Sequence, residues 1–482
     1  MNGSAFRIRN QFDSKAKIIE IPRFYFGDFS FSSETGADCP LEFDFHRTPG
    51  WWPRFPVLIK SNGLPWEIGN AYLLKLVETK QPWDMETIKS RAIYLLAYLR
   101  FLEDANMDFM HFPFRKSERV TYVFRETLQK FISQGLNPLY ASNIINTVVH
   151  FYRTIATDGM IDEDAFENLP FKDIHRFVKF FDDKGFGRLK GITTSDIAIR
   201  HSRPNKRLDR ISDGGQLRPL TIEEQKLIIS GFKKGLCPYT LELMIRIALS
   251  TGARMQTICT LRVSHIKKAY EKIVDENVSC VEVQAGYGSR NEGHLINTKR
   301  GKLHRLLFPK KLIEDLYVYI TSDYHKKLIE KSYYKNKDIN YVFLTENSNP
   351  YYISKQEILD RQNDGSSYSV NSKDFIQNRG DSVRMNLKKF IMRLKNIDPE
   401  FKAFKFHDLR ATFGMNLVRI LSDKDYKTAR ILTEVRTRMG HTSIETTQLY
   451  LDFDEMVERY EKHMVEFEEE LLDGYKKLGR DI

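Results

Sequence analysis

Along most of the chain the apolar positions recur every three to four residues, the spacing of helices with one buried face. In METIKSRAIYLLAYLRFLEDA this pattern is carried by Ile88, Ile93, Leu95, Leu96, Leu99 and Leu102. SERVTYVFRETLQKFISQGL and NPLYASNIINTVVHFYRTIATDG continue it, and Asp162 to Phe181 reads as a further helix or two. Residues 67–185 are therefore expected to form a compact helical bundle. Residues 1–66 differ. AKIIEIP and RFYFGDFSF carry strand formers, while PGWW, SNG and LPW mark turns, so this stretch reads as a β-leaning arm. All four tryptophans, Trp51, Trp52, Trp66 and Trp83, fall within it or just beyond. Two readings stand for them: a small aromatic core, or a platform on which bases stack.

Helical periodicity returns near Leu220, where Thr221 and Glu224 fit a capping box that opens a helix. TLELMIRIALSTGARMQTICTLRVSHI then reads as an apolar helix, a Gly-containing turn and another helix. KIVDENVSCVEVQAG and HLINTKRGKLHRLLFP read as strands, with Lys299 to Lys302 as a bend between two of them. KKLIEDLYVYITSDYHKKLIEKS is helical, YVFLT a short strand, and 346–383, rich in Asn, Ser, Asp and Gly, an extended loop insertion. Helix resumes at VRMNLKKFIMRLKNI. In the tail, 454–482, Met456, Tyr460, Met464, Phe467 and Leu471 make an amphipathic stripe for docking on its own domain or on a neighbouring copy. The fold class expected is mainly α with a small antiparallel β-sheet, an α+β chain.

Composition narrows the partners. The 482 residues suffice for two to four domains, and a net charge of +11 favours a polyanion, either nucleic acid or a membrane surface. No apolar run approaches the ~18 residues of a membrane span, and MNGSAFRIRNQF lacks a leader core, so neither insertion nor export is expected. Cys39, Cys237, Cys259 and Cys280 form no C-x-x-C pair and read as reduced thiols. Between the two periodic regions, 186–218 reads as a basic interdomain linker carrying Arg200, Arg203, Lys206, Arg207 and Arg210. It is either a strap along phosphates or a solvated charge run.

The chemistry gathers near the C-terminal end. KFHDLRATFGMNLV places His407 and Arg410 three apart, on one helical face. In RMGHTSIETTQLYLDF, Thr442 and Glu445 fit a second capping box, so a helix is expected from Thr442. His441 would then stand at a helix N-terminus that favours anions, with Tyr450 nine positions further along. Earlier, Arg254 lies in the turn STGAR, and Lys299 on the hairpin bend has Lys302 close by.

Each signal is ordinary alone, but their order is not. TGAR, a hairpin lysine, H-x-x-R, G-H and a tyrosine nine residues on resemble the tyrosine recombinase (phage integrase) family across about 219–455, with a catalytic domain expected over 219–453. The resemblance implies a helical core-binding domain and an integrase-type catalytic domain, forming a two-lobed clamp on DNA. It implies a catalytic set of Arg254, Lys299 (or Lys302), His407, Arg410, His441 and Tyr450. Tyr450 would be the nucleophile, giving a 3′-phosphotyrosyl bond with neither metal, ATP nor other cofactor. Implied partners are double-stranded attachment sites, four copies on two duplexes, a monomer or weak oligomer in solution, and possible accessory proteins. The implied location is the bacterial cytoplasm, on the nucleoid. One departure stands out: the family often carries a carboxylate three residues after the first arginine, and this chain has Thr257. A topoisomerase-like relaxing enzyme and an inactive DNA-binding relative are the alternatives.

Overall fold

The computed structural model describes residues 6, 8–25, 28–30, 42–44, 51–78, 85–161, 166–181, 187–200, 210–287, 292–363, 378–424, 426–441 and 443–455. The described chain is mainly helical with small antiparallel sheets of two strands each. It divides into two compact units, 1–203 with 358–372, and 204–357 with 373–482.

The first unit contains strands β1 (Lys17–Tyr25), β2 (Asp28–Ser30), β3 (Glu42–Asp44) and β4 (Trp51–Ile59). Helices α1 (Glu67–Glu78), α2 (Met85–Asp104), α3 (Val120–Ser133) and α4 (Pro138–Thr157) follow. The start of α4 is written in its sequence. Pro138 supplies a helical φ where no N–H is needed, and the Asn137 side chain accepts from the Leu139 and Tyr140 amides. The apolar stripes of α2, α3 and α4 meet in one core that includes Leu95, Tyr98, Phe124, Ile144, Val148 and Phe151. Each such side chain contributes roughly 1.5–3 kcal/mol by leaving water. Phe55, Leu58 and Trp66 belong to that same core, so the β-leaning N-terminal stretch is part of the bundle and not a separate arm. Trp66 serves as core; Trp83 lies outside the described residues.

Residues 173–181, expected to be helical, are a strand. β5 (Asp173–Phe181) pairs antiparallel with β6 (Gly187–Ser195), from Asp173↔Ser195 to Phe181↔Gly187. The residues explain it: Ile174, Phe177, Val178 and Phe180 are β-branched or aromatic, residue types that favour a paired strand. The tract 186–218 is correspondingly not a featureless linker. It contains β6 and a second hairpin, β7 (Ile211–Ser212) with β8 (Gln216–Leu217).

In the second unit the capping box at Thr221 and Glu224 forms and opens α5 (Ile222–Lys233). Then come α6 (Tyr239–Thr251), α7 (Met255–Cys259) and α8 (Val263–Glu276). β9 (Cys280–Ala285) pairs antiparallel with β10 (His304–Pro309). Its alternation is clear: Val281, Val283, Leu306 and Phe308 are buried, while Arg305 faces water. HLINT is not a strand. Residues 293–301 contain two short 3-10 turns, Gly293–Leu295 and Lys299–Gly301, so Lys299 stands on the connection between β9 and β10. YVFLT makes only isolated bridges, Arg262↔Tyr341 and Leu344↔Pro350.

Helices α9 (Lys310–Thr321) and α10 (Asp323–Lys331) are separated at Ser322, whose side chain caps the second. The expected loop insertion 346–383 contains helix α11 (Lys355–Asn363) and the bridge Tyr352↔Arg379; its residues 364–377 lie outside the described ones. Then follow α12 (Asp381–Lys395), α13 (Asp408–Ser422), α14 (Thr428–Met439) and a last helix at 444–455, α15. The amphipathic stripe from Met456 onward lies outside the described residues. Cys237, Cys259 and Cys280 are free thiols. Among the described residues, no helix is long and apolar enough to cross a membrane.

Candidate active site

Local sequence chemistry aims each candidate inward. α6 ends at Gly252, whose left-handed φ of 67° turns the chain, and a Cβ there would come within 2.5 Å of the Phe413 ring. Arg254 follows as the residue that opens α7. His407 stands at the entrance of α13 and Arg410 in its first turn. α14 ends on Gly440, again left-handed at φ 62°, which releases His441. Tyr450 is on α15, packed against Gly414 of α13; a Cβ on Gly414 would lie 2.6 Å from the Tyr450 ring.

Arg410 is buried, and each of its three guanidinium nitrogens donates one hydrogen bond. Nη1 donates to the Gly252 carbonyl at 2.7 Å, Nη2 to the Met439 carbonyl at 2.6 Å, and Nε to Asp213 Oδ2 at 3.3 Å. It thereby pins together the two glycine turns that present Arg254 and His441. His441 shares Nδ1 with Thr447 Oγ1 at 3.0 Å and meets Asp213 Oδ2 through Nε2 at 3.1 Å. The buried Tyr450 hydroxyl donates to the same carboxylate oxygen at 3.1 Å. A Cβ placed on Gly214 would lie 3.7 Å from Lys299 Nζ and 3.9 Å from His407 Nε2. The structure thus brings Arg254, Lys299, His407, Arg410, His441 and Tyr450 around the tip of the β7–β8 hairpin.

Asp213 was not a candidate in the sequence, where it sat unremarked in RISDGG. The family's carboxylate is missing at Thr257, which is buried on α7, and the carboxylate in the site comes from Asp213, upstream of the whole domain. The available signal was the turn: Asp-Gly-Gly between Ile211 and Leu217 is hairpin chemistry. His304 was missed as well. It is buried beside Gly440, with Nε2 bound to the Arg438 carbonyl at 3.0 Å.

The second capping box is also corrected. α15 begins at residue 444, and Ser443 Oγ accepts from the Glu445 amide at 3.1 Å, so Ser443 is the cap; Thr442 lies outside the described residues. Of the basic tract, Arg203, Lys206 and Arg207 lie outside the described residues, while Arg200 is exposed and Arg210 half-buried.

The electrostatics follow from burying Arg410 and His441, and half-burying Arg254 and His407, around one anion, Asp213. Burial alone would raise the Asp213 carboxyl, but the His441 hydrogen bond and the Arg410 charge overrule it and hold it well below the usual carboxylate range. Burial, then the neighbouring Arg410 charge, brings Arg254 down to about 10, still cationic at neutral pH. Burial also lowers His407 and His441, with the Asp213 carboxylate opposing it at both. The Tyr450 phenol is raised well above 10 by burial and by the Asp213 charge beside it. A cleft of about 230 Å³, lined by Asp213, Arg254, Lys299, His304 and His441, opens onto this cluster. Lys302 lines the same cleft, so position alone does not exclude it as the working lysine.

Such a site can hold an anion close to the Tyr450 hydroxyl, as it holds the Asp213 carboxylate. Residues 219–456 match the model of the phage integrase family. No curated protein matches the chain. Among solved structures, the chain is similar to an arginine-to-lysine variant of the Tn1549 transposon integrase bound to circular intermediate DNA. That match has 13% identity over 80% of this chain and 94% of the other, with TM-score 0.42. A tyrosine-to-phenylalanine variant of the same integrase with transposon right-end DNA matches at 14% identity, over 80% and 94%, with TM-score 0.41.

Proposed function

Because residues 219–456 belong to the phage integrase family, we propose that the chain is a tyrosine-type site-specific recombinase that cuts and rejoins duplex DNA through a covalent 3′-phosphotyrosyl bond to Tyr450. The observation that carries this is convergence: Arg410, His441 and Tyr450 all donate to one anionic oxygen, in a cleft shared with Arg254 and Lys299.

The phenolic oxygen attacks phosphorus, and the bond to the 5′-oxygen breaks. His407, kept from protonation by burial and the Arg410 charge, takes the phenolic proton. Lys299 returns a proton to the departing 5′-oxygen. Arg254 and Arg410 stabilise the charge that spreads over the phosphoryl oxygens, and His441 donates through Nε2. Because the ester is conserved in the phosphotyrosyl bond, another 5′-hydroxyl can reverse the step without ATP. The guanidiniums and the ammonium supply the positive charge, so the reading requires no metal ion. Exchange between two duplexes needs four strand cuts, hence four copies with one tyrosine each. The basic residues Arg200, Arg203, Lys206, Arg207 and Arg210 would run along phosphates.

The test uses a nicked suicide duplex containing a site selected by binding to the Tyr450→Phe variant. The wild-type protein is expected to form a denaturation-resistant protein–DNA adduct in EDTA, and Tyr450→Phe none. An adduct strictly dependent on Mg²⁺ would sink the mechanism, and relaxation of any plasmid without a site requirement would favour a topoisomerase instead.

A further inference from the structure

The tip of the β7–β8 hairpin puts a carboxylate where the reaction needs a phosphate. We propose that Asp213 is a built-in mimic of the scissile phosphate, closing the site until a phosphodiester displaces it; this rests on the recombinase reading above.

The choice of atoms distinguishes a mimic from a carboxylate that merely positions its neighbours. A positioning group holds the far side of a catalytic side chain and leaves the working atom free. Here His441 Nδ1 is held from behind by Thr447, and Asp213 takes Nε2, the nitrogen left to meet substrate. Arg410 is held from behind by the Gly252 and Met439 carbonyls, and Asp213 takes Nε. Asp213 also accepts the hydrogen of the Tyr450 hydroxyl, the attacking group itself. All three hydrogen bonds fall on one oxygen, Oδ2, at 3.1–3.3 Å.

An attacking oxygen must come within about 3–3.5 Å of phosphorus. A phosphate placed to receive Tyr450 would therefore overlap the Asp213 carboxylate, 3.1 Å from the same hydroxyl. Two anions cannot share that point, since like charges at this separation repel strongly away from water.

The hairpin is built so that its tip can yield while its base stays. Ile211 and Leu217 are buried in the core that includes Tyr450. Beyond β8, the Arg218 amide donates to Asp408 Oδ1 at 3.1 Å and the Leu220 amide to Thr412 Oγ1 at 2.9 Å. Between these anchors stands Asp213–Gly214–Gly215, with Gly214 at φ 67°. Rotation of one side chain, with adjustment of this glycine turn, clears the site.

Two measurements test the proposal. Inorganic phosphate is titrated calorimetrically into the full chain and into Asp213→Asn; the variant is expected to bind about tenfold more tightly or better, because its competitor for the same donors is gone. On the nicked suicide duplex, single-turnover adduct formation is expected to be several-fold faster in Asp213→Asn. Unchanged or weaker phosphate binding, or slower adduct formation, would overturn the mimic and make Asp213 a positioning carboxylate. If the Asn variant does not fold, Asp213→Ser carries both measurements. Tighter phosphate binding with no adduct from either protein would fault the recombinase reading and leave Asp213 the occupant of a phosphate site, with no scissile bond to mimic.

Discussion

Two β-hairpins flank the basic stretch at the middle of this chain, and they are opposites. β5–β6 is a ladder of nine paired positions, yet Phe177 is 77% and Leu189 67% exposed. β7–β8 has only two paired positions, yet Ile211 and Leu217 are 2% and 3% exposed. An isolated two-stranded ribbon is marginal in water however long its ladder. What holds β7–β8 is the apolar core around Tyr450, and that core fixes where Asp213 points. Ladder length is thus no measure of how strongly a hairpin is specified; burial is.

The largest effect expected on the short hairpin comes from its cationic partner. Arg410→Ala should lower adduct formation by about 10²–10³-fold, since it removes a preorganised donor to the transition state. It should also destabilise the fold by roughly 3–5 kcal/mol, by leaving the buried Asp213 carboxylate without its guanidinium. Chemical denaturation alongside kinetics separates the two effects. Next, Leu217→Ala should cost about 2–5 kcal/mol of unfolding free energy. The matched change in the long ribbon, Leu189→Ala, should stay within about 0.5 kcal/mol. Equal costs would erase the contrast between the hairpins.

Acid should find the short hairpin's surroundings first. His304, on the cleft it shares with Asp213, is pushed down to about 4, chiefly by burial, with the Arg410 and Arg254 charges adding to it; elsewhere in the second unit, His265 on α8 is likewise pushed down to about 4 by burial and Arg262. A histidine whose folded pKa is depressed gives stability that is complete above its unfolded value near 6.5. That contribution is lost as pH falls from there towards 4. Asp213 acts in the same direction at lower pH, because its folded value lies below the usual carboxylate range. The melting temperature should therefore fall between pH 7 and pH 5, and His304→Phe should flatten that slope if the ring packs. The smallest effect concerns the basic tract. Charge reversal at Arg203 and Arg207 should weaken DNA binding and flatten its salt dependence, by about one unit of slope for each phosphate that is no longer neutralised. An unchanged slope would return the tract to solvent.

Several helices were legible because they rest on local chemistry, whereas the six candidate residues were ordinary one by one and stood out only by their order along the chain. Periodicity marks α2, α3 and α4, Thr221 with Glu224 marks the start of α5, and the glycines after α6 and α14 mark the turns that present Arg254 and His441. What stayed hidden was non-local. Residues 173–181 contain as many apolar positions as a helix would, and only pairing with 187–195 settles them as a strand. His304 is an ordinary strand histidine until the Arg438 carbonyl at the end of α14 meets its ring. Asp213 lies 41 positions before Arg254 and 237 before Tyr450, so no spacing links them; only the folded core brings the hairpin tip to the phenol. The cap of α15 failed for a smaller reason. Thr442 and Ser443 are neighbours with equivalent hydroxyls, and local spacing alone could not choose between them.

The central claim is that the Tyr450 phenol becomes covalently joined to DNA. The most direct measurement is mass spectrometry of the protease- and nuclease-trimmed adduct from the suicide duplex. The account predicts one modified peptide, with a 3′-phosphonucleotide on Tyr450. A nucleotide on any other residue, or a linkage through a 5′-phosphate, would contradict it.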